Sequence, residues 1–225
     1  MENNLKPWLK TWWGRLVVLF ITIILVFLVA AGFFFYDGIK GAIKEQSDGL
    51  IKLSGQTYPA ADNDHYWLGS AKAKITIVEF GDFACPVCEK EYSVIREISQ
   101  KYKNEVKFIW RDYPVVAEYS ALLALAGRCA GEQGLFWPMH DKLFQNQGVN
   151  TIDQLNILAN QIGADMARFN NCFTKQKYLT QIQKDLNDGQ TFGLSGTPTF
   201  FINGYKVEGD VPYDTFVKII EGLKK

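Results

Sequence analysis

Apolar and polar positions are shared unevenly along this chain. Leu16 to Tyr36 contains no charged residue, and as a helix it would span about 30 Å, the hydrocarbon thickness of a bilayer. Gly32-Phe33-Phe34-Phe35-Tyr36 carries the apolar run past the small-residue stretch Val29-Ala30-Ala31. The run therefore predicts an uncleaved membrane anchor, with a cleaved signal or a buried core helix as alternatives. Trp8, Trp12 and Trp13 before it and Tyr36 at its end suit the two interfaces. The pattern divides the chain into a tail (1–15), an anchor (16–36), a tether or loose juxtamembrane helix rich in Gly, Ser, Lys and Asp (37–63), and a domain (64–225).

Within the domain the periodicity changes several times. Ile75-Thr76-Ile77-Val78-Glu79-Phe80 is β-branched and predicts a strand. Val87, Tyr92, Ile95 and Ile98 then share a helical stripe as far as Tyr102, and Val106 to Trp110 predicts a second strand. Strand, helix and strand with short connections imply neighbouring parallel strands joined right-handedly. Residues 117–190 read as helical: Ile152, Leu155, Leu158 and Ile162 follow a cap at Asn150 or Thr151, and Met166, Phe169 and Phe173 repeat at the same spacing, as do Leu179, Ile182 and Leu186. Thr199 to Ile202 predicts a strand, Asn203-Gly204 a hairpin turn, Tyr205 to Val207 the return strand, and Tyr213 to Leu223 a closing helix. The fold class is α/β, with a helical insertion.

Composition narrows the function. The 225 residues include 24 Lys+Arg and 24 Asp+Glu, so the net charge is zero and nothing supports a nucleic-acid partner. With 48% hydrophobic residues and 7 prolines, global disorder is excluded. Charge does not orient the anchor, because Lys6, Lys10 and Arg15 precede it and Lys40, Lys44 and Lys52 follow it.

The four cysteines are Cys85, Cys88, Cys129 and Cys172. Cys85-Pro86-Val87-Cys88 falls where strand gives way to helix, which brings its two sulfurs within bonding reach on the first turn. Cys85 would meet the unpaired N–H groups and dipole of the helix N-terminus, making it an exposed thiolate nucleophile, with Cys88 its shielded resolving partner. Pro86 suits the first helical position, where a missing N–H costs nothing. A structural zinc site is the alternative, but it needs two more ligands. Only Cys129, Cys172, His65 and His140 could supply them, in no second close pair, so no metal is expected. His140 reads as a packing residue, His65 as a tether residue without a partner, and Arg111 as a local ion-pair partner of Asp112 or of a carboxylate in the insertion.

Val78-Glu79-Phe80-Gly81-Asp82-Phe83-Ala84-Cys85-Pro86-Val87-Cys88 resembles the active-site segment of DsbA-like thiol–disulfide oxidoreductases of the thioredoxin fold. Ser195-Gly196-Thr197-Pro198-Thr199-Phe200-Phe201-Ile202-Asn203-Gly204 resembles that family's second signature, and the helical insertion between them is similar too. The resemblance covers residues 66–223 and leaves out the anchor. It implies a cis bond before Pro198, with Thr197 and Pro198 forming the substrate-facing loop, and a buried proton-relaying acid at Glu79. Asp82 is expected to be solvated. Cys129 and Cys172 read as buried thiols in a reducing compartment and as a structural disulfide in an oxidising one, and the family's second bridge favours the disulfide. That bridge points outside the cytoplasm, which sets the topology of a single-pass plasma-membrane protein: tail cytoplasmic, domain extracytoplasmic.

The expected function is thiol–disulfide exchange without a cofactor, foremost oxidation of dithiols in extracytoplasmic proteins or peptides, with a membrane redox partner to reoxidise the enzyme. A reductase or isomerase would use the same residues. Pro86-Val87 lacks the histidine of the most oxidising members, and Thr197 is a type also seen in isomerase relatives. A non-catalytic tethered binding or chaperone module is the reading from another class.

Overall fold

The computed structural model describes residues 12–47, 55–61 and 65–224. The chain divides into two compact units, Met1–Lys52 and Leu53–Lys225. In the first, one helix, α1, runs from Trp12 to Ser47. Its apolar stretch Arg15–Phe34 is long enough to cross a membrane and buries none of that surface within the protein. The helix does not stop at Tyr36. It continues into the expected tether, where Lys40, Ala42, Lys44 and Glu45 are good helix formers. Trp8, Lys6 and Lys10 lie outside the described residues, as do tether residues 48–54 and 62–64.

The second unit is built on a five-stranded sheet, in the order β1-β3-β2-β4-β5. The strands are β1 (Trp67–Gly69), β2 (Ile75–Gly81), β3 (Val106–Asp112), β4 (Thr199–Ile202) and β5 (Tyr205–Glu208). Only β2 and β3 are parallel, joined across α2 (Pro86–Lys101) as the sequence predicts. Both central strands are buried along most of their length, which explains their nearly unbroken apolar runs. Asn203 and Gly204 take positive φ angles of 48° and 87°, the conformation that a tight β4–β5 turn needs. Strand β1, with only three residues, is too short to show any periodicity in the sequence. It pairs antiparallel with the edge of β3.

Five helices lie between β3 and β4: α3 (Ser120–Gly131), α4 (Phe136–Gln145), α5 (Ile152–Gln161), α6 (Met166–Thr174) and α7 (Leu179–Thr191). Thr151 caps α5 in a reciprocal capping box with Gln154. The Cys129–Cys172 disulfide ties α3 to α6. Helix α8 (Tyr213–Leu223) closes the chain, burying Phe216 and Ile220.

Two expectations need correction. The end of the expected tether packs on the domain: Thr57 bridges to Tyr205, the Tyr58 N–H donates to the Gly204 carbonyl at 2.9 Å, and Ala60 is buried. An open strand edge at β5 offers the backbone groups that draw this segment in. His65, expected without a partner, is buried with Nε2 2.7 Å from Asp185 Oδ1. His140 packs as expected, among Phe83, Trp110 and Phe144.

Candidate active site

Cys85 ends the turn that follows β2 and is the N-cap of α2, with Pro86 just inside the helix. Its side chain makes no capping bond, so the N–H groups of the first turn point toward Sγ without a competing acceptor. Cys85 and Cys88 are free thiols. Cys88 lies one turn along the helix face that packs inward, and it is completely buried. Cys85 is only 4% exposed, less open than the sequence suggests, because its Sγ–H donates to the Thr197 carbonyl at 3.2 Å.

The Thr197–Pro198 bond is cis. This loop leads into β4, which pairs with β2 through Phe80↔Thr199 and Glu79↔Phe200, so the sheet itself holds both signature segments side by side. The Thr197 hydroxyl is buried without a partner among the described residues. Once Cys85 ionises, that hydroxyl has an acceptor beside it.

The two thiols differ electrostatically. Cys85 is lowered to about 5: the Cys88 thiol donates to it, the Thr197 side chain adds a second hydrogen bond, and the Cys88 and Val87 N–H groups add more, together outweighing burial. Cys88 is pushed well above the usual thiol value, first by burial, then by its donation to Cys85 and by the nearby Glu79 carboxyl.

Glu79 stands on β2, 1% exposed, with Oε1 unpartnered among the described residues. Burial raises it well above the carboxylate range, and the charges of Glu91 and Cys85 raise it further. Its surroundings thus favour the protonated form, within electrostatic reach of Cys88.

Asp82 corrects another expectation, since it is buried rather than solvated. Its Oδ1 accepts the Ala84 N–H at 2.9 Å, and its Oδ2 accepts those of Val115 and Val116 at 2.9 and 2.8 Å. One carboxylate thus shapes the cysteine turn and ties the 115–116 loop to it. The local half of that role is an Asx turn, a short-range signal that the sequence carries. Gln147 and Glu91 also escape sequence reasoning. The Gln147 side-chain amide donates to the carbonyls of Phe83 (3.1 Å) and Cys85 (2.8 Å), latching the insertion onto the turn. Glu91 is buried in α2. Because Cys129 and Cys172 are bonded to each other, they are not available as zinc ligands. Arg111 pairs with Asp185 and Asp188 of α7, both insertion carboxylates, while Asp112 pairs with Arg128.

Residues 61–222 match the family model described as thioredoxin. The chain is 35% identical over 165 residues to the Na(+)/H(+) antiporter NhaA 1 of Salinispora arenicola, covering 72% of this chain and 25% of that protein. It is 34% identical over 175 residues to NhaA 3 of Salinispora tropica, covering 77% and 26%. The chain thus spans about a quarter of the length of the curated relatives it matches. Among solved structures, oxidised BdbD from Bacillus subtilis superposes with a TM-score of 0.65 at 27% identity, covering 72% of this chain and 94% of that one. A periplasmic thioredoxin-like protein from Salmonella enterica serovar Typhimurium gives 0.63 at 26% identity, covering 74% and 95%. The thiol–disulfide exchange protein alpha-DsbA2 from Wolbachia pipientis shares the fold, with a TM-score of 0.65 at 20% identity over 72% and 88% of the two chains. A cysteine pair at a helix N-terminus, a facing cis-proline loop and a family match across the domain lead to one conclusion: the chain belongs to the thioredoxin family.

Proposed function

We propose that this protein oxidises dithiols of extracytoplasmic polypeptides through a Cys85–Cys88 disulfide. The observation that carries the reading is the asymmetry of the two thiols. A Cys85 thiolate held near pH 5 stabilises the reduced enzyme, and stabilising the reduced form makes the disulfide a stronger oxidant. A substrate thiolate attacks Cys85 Sγ, forming an intermolecular disulfide as the Cys85–Cys88 bond breaks, and the bond's electron pair leaves on Cys88. Glu79 supplies the proton that Cys88 needs, since burial disfavours a second thiolate there. The second substrate thiolate then attacks its partner sulfur and releases Cys85 as a thiolate. The cis-Pro198 loop offers the Thr197 backbone to an extended peptide, and the exposed Val87, Val115 and Val116 add apolar contact.

The topology follows the same reading. The Cys129–Cys172 bridge supports an oxidising compartment for the domain, with α1 as a single-pass plasma-membrane anchor and the tail in the cytoplasm. A membrane redox partner would return the cysteine pair to the disulfide.

The reduction potential of the pair, measured in glutathione buffers, tests the direction of exchange. A value near about −120 mV is expected of an oxidant, and one near about −270 mV would make the protein a reductant.

A further inference from the structure

We infer that Glu91 and Asp210 extend the Glu79 carboxyl into a proton path from buried Cys88 to solvent. This rests on the function proposed above and concerns how its buried leaving group is supplied with protons. Cys88, Glu91, Ile95 and Ile98 form the inward stripe of α2, so Glu91 sits directly below Cys88 at i+3 on one face. A carboxylate is out of place in such a stripe. Glu91 is 0% exposed, and neither of its oxygens has a well-formed hydrogen bond among the described residues. Glu79, across on β2, is buried with its own Oε1 unpartnered. Burial and the repulsion of neighbouring carboxylates favour the neutral form of both carboxyls, and a neutral carboxyl can pass its proton on.

The groups facing this pair determine where the path leads. Glu79 meets Cys85, Cys88 and Glu91. Glu91 meets Asp210 and Val211, on the connection from β5 to α8, and the charge of Lys90 beside it. Asp210 is ion-paired with Lys90, and its side chain is 39% exposed, so it is the member open to water. The remaining members are sealed. When the Cys85–Cys88 bond breaks, the electron pair leaves on Cys88, which takes the Glu79 proton. In the same step Glu79 takes the Glu91 proton, so that no carboxylate is left buried beside the cysteines, and Glu91 is refilled from solvent through Asp210. Reoxidation runs the same transfers in reverse.

The full-length chain in detergent, reacted with a dithiol peptide in single turnovers across pH, tests this. Glu79→Gln is the reference and should slow bond breakage about 100-fold, the scale of a lost general acid. Glu91→Gln, isosteric with the neutral acid, should slow it about tenfold, because the Glu79 proton then leaves behind a buried carboxylate that Glu91 no longer neutralises in the same step. The wild-type rate should fall as pH rises through about 8, where Glu91 loses its proton, and Glu91→Gln should lack that step. Asp210→Asn removes a neighbouring negative charge at the surface and should move the step to lower pH, and it reports even if Glu91→Gln fails to fold. A purely structural Glu91 would change thermal stability and leave the pH profile intact. If Asp210→Asn and a folded Glu91→Gln keep the wild-type profile while Glu79→Gln loses rate, the path does not pass through Glu91. If the wild type itself oxidises no dithiol, the proposed function fails instead, and the two failures are distinct.

Discussion

Two groups of buried charges lie in this domain and are treated in opposite ways. Between sheet and insertion, Asp185 Oδ1 accepts from Arg111 Nε at 2.9 Å and lies 2.7 Å from His65 Nε2, while Arg128 bonds both Asp185 and Asp112. Every charge there has an opposite one in contact. Under the cysteines, Glu79 and Glu91 are both buried, and neither has an ion pair among the described residues. The difference teaches what each region is for. Paired charges fix elements in place, here β3, α3, α7 and the segment before β1. Unpaired buried acids favour their protonated form, and a group that keeps its proton can give it away.

The pairing side breaks most severely. Asp185→Ala removes the carboxylate shared by Arg111, Arg128 and His65, leaving Arg111 to Asp188 and Arg128 to Asp112, and should destabilise the domain by about 5 kcal/mol in denaturant titrations. The exchange chemistry of whatever remains folded should be unchanged. Almost as large is the loss of the Cys129–Cys172 bridge, which closes a separation of 43 residues. Changing both to Ala should remove about 4 kcal/mol by the chain-entropy account, with the reduction potential of Cys85–Cys88 unmoved. Peptide mapping of protein from an oxidising compartment should find the two joined, and free thiols at both positions would remove the argument for topology.

The pH dependence of stability sharpens the contrast. Burial raises Asp185, but His65, Arg111 and Arg128 outweigh it and hold it below its ordinary value, so its stabilisation is present above the carboxylate range and lost as pH falls through it. Glu91 runs the other way. Raised from 4.5 to about 8, chiefly by burial, it binds its proton in the folded state where the unfolded chain has released it. Stability should therefore decline as pH rises from about 4.5 to about 8. Glu91→Gln should flatten that slope and leave the variant more stable than wild type at pH above 7, and an unchanged slope would contradict the buried acid. The smallest effect belongs to Gln147→Ala, at about 1 kcal/mol, with a faster-exchanging amide in the cysteine turn.

What the sequence reveals follows from the range of each interaction. The β2-α2-β3 unit and the β4–β5 hairpin are legible because their patterns are long and local, and CxxC reports its own geometry. The His65–Asp185 contact joins residues 120 apart, so no local pattern announces it. Glu91 stands in Glu89-Lys90-Glu91, a run that reads as a solvated face until the inward stripe of α2 is seen. Asp82 looks the same until the 115–116 loop arrives to donate to it.

The asymmetry of the two active-site thiols underlies both the oxidant reading and the proton path. The most direct test is to label the reduced protein with iodoacetamide at pH 6 and follow each cysteine by mass mapping. Cys85, lowered to about 5, should be alkylated, while buried Cys88 stays unmodified. Faster labelling of Cys88, or an unreactive Cys85 that ionises only near its ordinary value, would contradict the account.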